Sequence, residues 1–431
     1  NNITLVFKNE IKSCVNMFKD LLNIKEIDLS NFDFSRVINI SSMFYNCFNL
    51  ERINFGNIDT SSVQDMSSVF YYCSNLQSLN LSNFDTSLVT NMERMFVYCS
   101  SLQELSVSNF NTSNVVSMGS MFNKCQQITS IDISQFDTAK VTSMALMFYY
   151  CQNLEKINFE GIKTSSLKDM ERMFYFCNNL LNIDLSNFDT SKVTTFSQMF
   201  YNCSFLESVN FGNINTSSVV SMRCLFSYCV KLISADLSSF DTSLVTDMGW
   251  MFFHCHKIQT IFLSKSFNTS NVVNMKSMFS CCKEISSIDV SHFDTSKVTD
   301  MSYMFNQWRQ LKFLNASNFS PINITTVDQM FYTNDKLLYL DLRLFKINNR
   351  TNITQTFDKV TSRICIEDEY TKNILLKEKK IPICSDTCYN EEYLGVDLIK
   401  NECIKLCNET GYEYDLTTLV IVNAQIILIL L

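Results

Sequence analysis

The chain has 431 residues, a net charge of −8 and a pI near 5.1. This acidic balance, without a Lys/Arg-rich run, argues against a nucleic-acid partner. Only seven glycines and two prolines occur in the whole chain, which excludes collagen-like and low-complexity disordered classes.

A phenylalanine recurs along most of the chain every 26 residues, with one step of 27 between Phe252 and Phe279. The members are Phe18, Phe44, Phe70, Phe96, Phe122, Phe148, Phe174, Phe200, Phe226, Phe252, Phe279, Phe305, Phe331 and Phe357. A period kept this long predicts a solenoid of stacked coils, because no single repeat buries its own apolar face. We expect an N-terminal cap at 1–17 and about 13 coils over 18–362.

One repeat, residues 50–73, shows what each coil should contain. Leu50, Ile53 and Phe55 have the spacing of a leucine-rich repeat and predict a short strand. Asp59 precedes the next segment as a helix-capping residue would. The apolar residues that follow stand three and four apart: Val63, Met66, Val69, Phe70 and Cys73. This spacing predicts a short helix.

The predicted fold class is therefore α/β, a leucine-rich-repeat solenoid of strand-turn-helix coils with a parallel strand ladder. Parallel strands pair at about 4.8 Å, whereas helices need about 10 Å side by side. We therefore expect the strand ladder to lie on the concave face.

The recurring pattern L-x-x-I-D-L-S-x-F-D-T-S-x-V-T-x-M-x-x-M-F-x-x-C resembles the BspA-like leucine-rich repeats. Its 26-residue form is similar to that of mycoplasma surface lipoproteins and some protist surface proteins, and it covers roughly residues 10–362. The resemblance implies a secreted or surface-tethered adhesion or recognition protein without catalytic residues. It does not identify the ligand.

Ten cysteines lie three residues after the repeat phenylalanine: Cys47, Cys73, Cys99, Cys125, Cys151, Cys177, Cys203, Cys229, Cys255 and Cys282. Stacked parallel side chains keep their β-carbons about 4.8 Å apart, too far for a disulfide. We expect buried free thiols that pack as small apolar groups, with disulfides or a metal as the alternative.

No catalytic or metal centre is expected in the solenoid. His254, Cys255 and His256 form its one metal-like group, and surface decoration is the simpler interpretation. His292 stands alone, and the chain has three histidines in all. We therefore expect no enzyme activity, no cofactor and no metal.

The outward position at the end of each strand is polar in nearly every repeat, and this column is the candidate binding surface. Its predicted ligand-binding residues are Asp184, Asn210, Asp236, Phe262 and Asp289. Phe262 is the exception, since an exposed aromatic side chain could anchor a partner. The alternative is that Asp and Asn only solvate the strand face. One inserted residue near Lys265 makes this coil irregular.

The end of the chain is cysteine-rich over 363–415. Its candidates for disulfide bonding are Cys365, Cys384, Cys388, Cys403 and Cys407. The unit C-x3-C occurs twice, which favours a small disulfide-rich module and an extracellular location. Zinc binding is the alternative, and the connectivity is open.

Residues 416–431 form a hydrophobic tail. The stretch LVIVNAQIILILL is shorter than the roughly 20 residues of a membrane-spanning helix. An anchor signal, a partial transmembrane segment and a buried cap stay open. Asn-x-Ser/Thr sequons, among them those at Asn111 and Asn215, predict a glycoprotein.

The leading function is a non-catalytic, extracellular or cell-surface adhesion or recognition protein. Its partner is expected to be a protein or glycan on a host or neighbouring cell, bound at the concave face. The alternative is a structural protein that self-associates into a surface coat or filament.

Overall fold

The computed structural model describes residues 10–264, 266–360, 363–378, 395–397, 402–404 and 419–421. The chain divides into two compact units, Asn1–Phe267 and Asn268–Leu431. Each unit is built from coils of the same repeat.

The first unit contains ten short strands: β1 (Glu26–Asp28), β2 (Arg52–Asn54), β3 (Ser78–Leu79), β4 (Glu104–Leu105), β5 (Ser130–Asp132), β6 (Lys156–Asn158), β7 (Asn182–Asp184), β8 (Ser208–Asn210), β9 (Ser234–Leu237) and β10 (Thr260–Leu263). Consecutive strands pair in parallel as β1 with β2, β3 with β4, and so on to β9 with β10. The register joins residues 26 apart, as in Ile27 opposite Ile53. The predicted solenoid of about 13 coils with a parallel strand ladder is confirmed.

The segment between strands bends through successive tight turns. In the coil of Phe44, Ser42 and Asn46 have φ angles of 55° and 60°. The N–H of Met43 donates to the C=O of Ile40 at 3.1 Å, which closes a four-residue turn around Ser42. Two such left-handed residues recur in every coil at the equivalent positions.

The predicted helix in each coil is wrong, because these N–H groups donate to the neighbouring coil. The N–H of Ser42 donates to the C=O of Ser67 at 2.9 Å, and that of Phe44 donates to Val69 at 2.9 Å. In an α-helix they would donate four residues back along the chain. Repeated four-residue turns also place apolar side chains inward at steps of three and four, so the sequence pattern does not distinguish them from a helix.

This correction removes the reason for predicting a concave strand side. That prediction required helices about 10 Å apart on the opposite side of the coil. Backbone hydrogen bonds also connect neighbouring coils through the tight turns between strands, a part of each coil that we call the turn side. Both sides can therefore stack at strand spacing.

The repeat phenylalanines form a continuous ring stack through the core of the first unit. From Phe18 to Phe252, successive ring centroids are 5.3–5.8 Å apart and the rings lie within 17° of parallel. Each of these phenylalanines is buried, with at most 6% of its surface exposed. Each coil therefore covers the apolar face of the next, as the period predicts.

The ladder cysteines of the first unit, Cys47 to Cys255, are free and buried as predicted. Each thiol also donates to the C=O of the repeat phenylalanine of the preceding coil, for example Cys73 Sγ to Phe44 O at 3.2 Å. Burial raises the pKa of Cys47 to about 11 and that of Cys151 to about 12. The thiols therefore stay protonated and unreactive near neutral pH.

The second unit continues the repeat with strands β11 (Phe313–Asn315), β12 (Tyr339–Asp341) and β13 (Arg363–Cys365), which pair in parallel in that order. Trp308 occupies a ladder-cysteine position, and its Nε1–H donates to Phe279 O at 2.6 Å. The indole thus makes the same hydrogen bond as the thiols. Helix α1 (Glu369–Glu378) follows and is the one helix among the described residues.

Three further short strands, β14 (Gly395–Asp397), β15 (Glu402–Ile404) and β16 (Leu419–Ile421), form an antiparallel sheet with β14 in the middle. Leu419–Ile421 belongs to the predicted hydrophobic tail, most of which lies outside the described residues. Within the described stretches, no helix has the length and apolar character needed for a bilayer crossing.

The predicted disulfide-rich module is not supported by the structure. Cys365 lies in β13, at the end of the solenoid ladder, where it is 1% exposed and disulfide-bonded. Its place in β13 puts Cys365 in the last coil of the repeat, so this bonded cysteine is part of the solenoid and not of a separate module. The side chains of Cys384, Cys388, Cys403 and Cys407 lie outside the described part of the chain, so their pairing stays a prediction.

Candidate binding surface

We define the strand face of the first unit as the exposed side chains from three residues before each strand to the strand's last residue. The predicted site residues Asp184, Asn210, Asp236 and Phe262 are all exposed on this face. Asp184 lies opposite Asn210 in the β7–β8 pair, and Asp236 lies opposite Phe262 in the β9–β10 pair. Asp289 is exposed in the second unit.

The polar residues of this column are tied to the backbone of the next turn. A carboxylate oxygen of Asp184 accepts from Ser186 N at 2.9 Å, and Asp236 accepts from Ser238 N at 2.9 Å. These hydrogen bonds initiate the turn that ends each strand. The Ser186 hydrogen bonds lower the pKa of Asp184 below its usual value. The column is therefore needed by the fold.

Asparagine makes the same turn without a charge. Asn210 Oδ1 accepts from Gly212 N at 3.1 Å. In the second unit, Asp289 accepts from Ser291 N at 3.0 Å. The alternation of Asp and Asn therefore changes charge on the strand face but keeps the turn.

Phe262 has no oxygen with which to make this turn. Its coil is also the one with the extra residue at 265, and Ser264 Oγ and Ser266 Oγ hydrogen-bond at 2.6 Å on either side of that insertion. The Phe262 side chain is 52% exposed. An exposed aromatic ring thus stands where the fold elsewhere uses Asp or Asn.

Three further large apolar side chains are exposed on the strand face near Phe262. Together they form the apolar patch: Leu181 at 44%, Phe205 at 49%, Ile233 at 47% and Phe262 at 52% exposure. Neighbouring coils connect them, since Glu207 N donates to Leu181 O at 2.8 Å and Ile233 N donates to Glu207 O at 3.2 Å. The patch extends over β7 to β10.

The sequence-based prediction missed three of these four residues, because it followed only the column at the strand end. Phe205 comes directly before a buried leucine, and Leu181 and Ile233 come directly after one. The same positions in the β2 coil are Asn49 and Glu51. A large apolar residue where other repeats carry polar ones was the signal available in the sequence.

Charged groups lie among the patch residues. Lys231 Nζ lies 6.0 Å from the centre of the Phe205 ring, within cation–π range. Glu207 lies between Leu181 and Ile233 in the coil order and is exposed. Exposed apolar side chains interspersed with charges of both signs are compatible with a protein-binding surface.

The His254–Cys255–His256 group does not assemble as a metal site. His254 Nδ1 and His256 Nε2 lie 3.0 Å apart, whereas the Cys255 thiol is buried and bonds Phe226 O at 3.0 Å. The thiol and the imidazoles therefore point to different sides of the backbone. Among the described residues, no cluster of three or more His, Cys, Asp or Glu is arranged to hold a metal ion.

The coil, its parallel strand ladder and its inward leucines define a leucine-rich-repeat solenoid. A family model described as "Mycoplasma protein of unknown function, DUF285" matches residues 12–130, 73–180, 151–265 and 259–365. These stretches cover most of the chain, so the chain belongs to this family. The resemblance to BspA-like surface repeats is confirmed. Among curated proteins, none matches the chain significantly.

Solved structures show distant similarity. A leucine rich cell surface protein from Faecalibacterium prausnitzii A2-165 is 16% identical, with 81% of this chain and 85% of that chain covered and a TM-score of 0.36. A leucine-rich repeat protein from Bacteroides ovatus is 15% identical, with 80% of this chain and 90% of that chain covered and a TM-score of 0.34. An LRR protein from Leptospira interrogans is 14% identical, with 86% of this chain and 93% of that chain covered and a TM-score of 0.26. Similarity at this level does not bear on a ligand.

Proposed function

We propose that this chain is a non-catalytic recognition protein of the cell surface or the extracellular space. It binds a protein or glycan partner through the strand face of its first unit, at the apolar patch. The observation that carries this proposal is the concentration of Leu181, Phe205, Ile233 and Phe262 on four consecutive coils. A protein partner suits the patch best, because exposed large apolar side chains among charged groups favour protein contacts.

The patch is not explained by the fold. Each of its members points outward, while the inward positions of the same coils keep the repeat pattern, as in Leu180, Leu206 and Leu232, which are fully buried. Polar residues at the equivalent outward positions of other coils leave the backbone unchanged. The exposed apolar area is therefore free to serve a partner.

A rigid platform supports this use of the strand face. The strands pair in register, and the ring stack behind them is buried throughout the first unit. Side chains on such a ladder are held at fixed spacing, so little conformational entropy is lost when a partner docks. The extracellular location is supported by the surface-protein character of the BspA-like repeats.

The test compares binding of purified wild-type protein and a Phe262→Ser/Asp236→Asn variant to intact bacterial and animal cells and to immobilised glycans. Asn at 236 keeps the turn, as Asn210 does. The control is Phe48→Ser, which removes a 37% exposed phenylalanine from outside the strand face.

We expect the double variant to lose binding while its Tm stays near that of the wild type, and the control to bind normally. Loss of a truncated interface anchor typically costs about 2 kcal/mol or more of binding free energy. Equal binding by wild type and double variant contradicts the proposed surface. Concentration-dependent self-association, without binding to any cell or glycan, contradicts recognition and favours a coat or filament protein.

A further inference from the structure

Two adjacent columns of aromatic side chains run along the turn side of the first unit, outside the binding surface. They occupy the two positions before the ladder cysteines, such as Tyr71 and Tyr72 before Cys73, and they are interrupted at Asn123 and Lys124 before Cys125. The stacked tyrosine pairs in these columns are Tyr45–Tyr71, Tyr72–Tyr98, Tyr149–Tyr175 and Tyr175–Tyr201. The proposed function uses none of them.

Tyr72 and Tyr98 form the tightest of these pairs. Their ring centroids are 4.2 Å apart and their planes differ by 23°, whereas the other three pairs have centroid distances of 4.6–4.8 Å. Tyr72 is 36% exposed. The two rings are thus held side by side and within reach of solvent.

Lys124 of the following coil completes the site. Its ammonium donates to the Tyr98 hydroxyl oxygen and lies 4.0 Å from the centre of the Tyr98 ring. This hydrogen bond is the main cause that lowers the pKa of the Tyr98 phenol. Oxidation of a phenol to its radical requires loss of the phenol proton, so this shift favours Tyr98 over the other tyrosines of these columns.

Burial shifts the pKa of several other stacked tyrosines upward, and that of the partner Tyr72 is raised as well. Burial raises the pKa of Tyr71, Tyr149 and Tyr201, and raises that of Tyr175 to about 12. The Arg172 guanidinium near Tyr175 reduces this rise only in part. These phenols therefore release their protons less readily than Tyr98 does.

We infer that Tyr72 and Tyr98 are a site of oxidative cross-linking, in which hydrogen peroxide and a haem peroxidase join the two rings as dityrosine. Each phenol gives up one electron and one proton and becomes a tyrosyl radical. The two radicals form one carbon–carbon bond between positions ortho to the oxygens. The two ortho hydrogens then move to the oxygens and restore both phenols. The peroxide takes the two electrons and two protons removed and becomes two waters.

The dityrosine bond would link two neighbouring coils covalently. Solenoid stability is mainly a nearest-neighbour property, so a covalent link between coils resists local opening at that point. The buried ladder thiols, which are fully enclosed in these coils, offer no such link. The tyrosine pair lies on the outside of the same turns, where it is exposed and can be oxidised, unlike the thiols.

The experiment treats the purified protein with hydrogen peroxide and a haem peroxidase, and follows dityrosine fluorescence and peptide mass. Arg94 lies between the two tyrosines, so trypsin separates them onto peptides 53–94 and 95–124. We expect these two peptides to be recovered joined, at their summed mass less two hydrogen atoms. Fragmentation must place the bond on Tyr72 and not on Tyr71.

Tyr98→Phe removes only the hydroxyl, and the fold accepts phenylalanine here because Phe176 stacks on Tyr150 at 4.5 Å in the same column. This variant should lose the linked peptides, while the matched control Tyr175→Phe should keep them. Lys124→Gln should slow the reaction severalfold. A bond mapped to Tyr149–Tyr175 or Tyr175–Tyr201, a bond only between molecules, or no bond in the wild type would each overturn the inference.

Discussion

The strand face of the first unit has two halves with the same backbone and different surfaces. Over β1 to β6, which we call the polar half, it carries ion pairs such as Lys25–Glu51 at 2.8 Å and Arg52–Glu26 at 3.1 Å. Among the described residues of this half, no large apolar side chain is exposed on the strand face. Over β7 to β10, the patch half, four such side chains are exposed.

Several features are common to both halves. Both keep the ring stack and the buried thiols, and most coils in both use a side-chain oxygen at the strand end to begin the next turn, although the coil of Phe262 does not. The exposed positions beside the buried leucines differ without any change in those features. The residues exposed on the strand face can therefore differ without changing the fold, and so they can be suited to a partner.

The largest expected effect is on the free energy of unfolding, and it tests whether the interiors of the polar half and the patch half are equally well packed. Phe148→Ala in the polar half and Phe226→Ala in the patch half each remove a ring that is at most 1% exposed. Each should cost about 3–5 kcal/mol of unfolding free energy, because a large cavity remains. Denaturant unfolding with hydrogen exchange should show equal losses, concentrated in the neighbouring coils. Protection lost evenly over all coils would contradict the nearest-neighbour account.

The next effect concerns two glycines, one in each half. A β-carbon at Gly56 would lie 2.7 Å from Ser30 Cα, and one at Gly212 would lie 2.7 Å from Ser186 Cβ. Both glycines also have a positive φ, 59° at Gly56 and 55° at Gly212, which is unfavourable for an L side chain. The close approach of the neighbouring coil adds to this cost.

Gly56→Ala and Gly212→Ala should therefore each destabilise the protein by about 1–3 kcal/mol, as overpacking does. Gly161→Ala is the matched control, since Gly161 also has a positive φ (77°) but its β-carbon would have its nearest contact at 3.4 Å. It should cost clearly less, because only the backbone conformation is unfavourable there. Thermal or denaturant unfolding of the three variants decides this, and an equal cost at all three positions would show that coil spacing does not restrict Gly56 and Gly212.

A smaller effect separates turn chemistry from charge at Asp236. Asp236→Ala removes the acceptor for Ser238 N and should cost about 1 kcal/mol. Asp236→Asn should cost clearly less, because Asn210 makes the same contact with Gly212 N. Equal losses in urea unfolding would mean that the charge, and not the turn, is what the fold requires.

Much of this architecture was predictable because the repeat makes it redundant. Fourteen copies of the phenylalanine define the coil length, and the cysteine three residues later follows the same period. The turn side was mispredicted because the spacing of Met66, Val69, Phe70 and Cys73 suits a helix and a run of tight turns equally well. The deciding feature is where the backbone N–H groups donate, and no side-chain pattern encodes that directly.

The binding surface was predictable in part. Phe262 stood out because it breaks a polar column, and it is exposed as expected. Phe205 and Ile233 break neighbouring columns, but their exposure depends on which residues flank the buried leucine. The Tyr72–Tyr98–Lys124 contact joins three coils through the turns, so a helical interpretation of those segments concealed it.

The most direct test of the account exchanges the whole apolar patch. One variant carries Leu181→Ser, Phe205→Ser, Ile233→Ser and Phe262→Ser. The matched variant carries Ile38→Ser, Phe48→Ser, Leu88→Ser and Leu244→Ser, which remove side chains that are 37–50% exposed outside the strand face. Binding isotherms of both proteins on the cells or glycans that retain the wild type provide the measurement. We expect the patch variant to stay folded and to lose binding, while the matched variant binds like the wild type. Unchanged binding by the folded patch variant would contradict it.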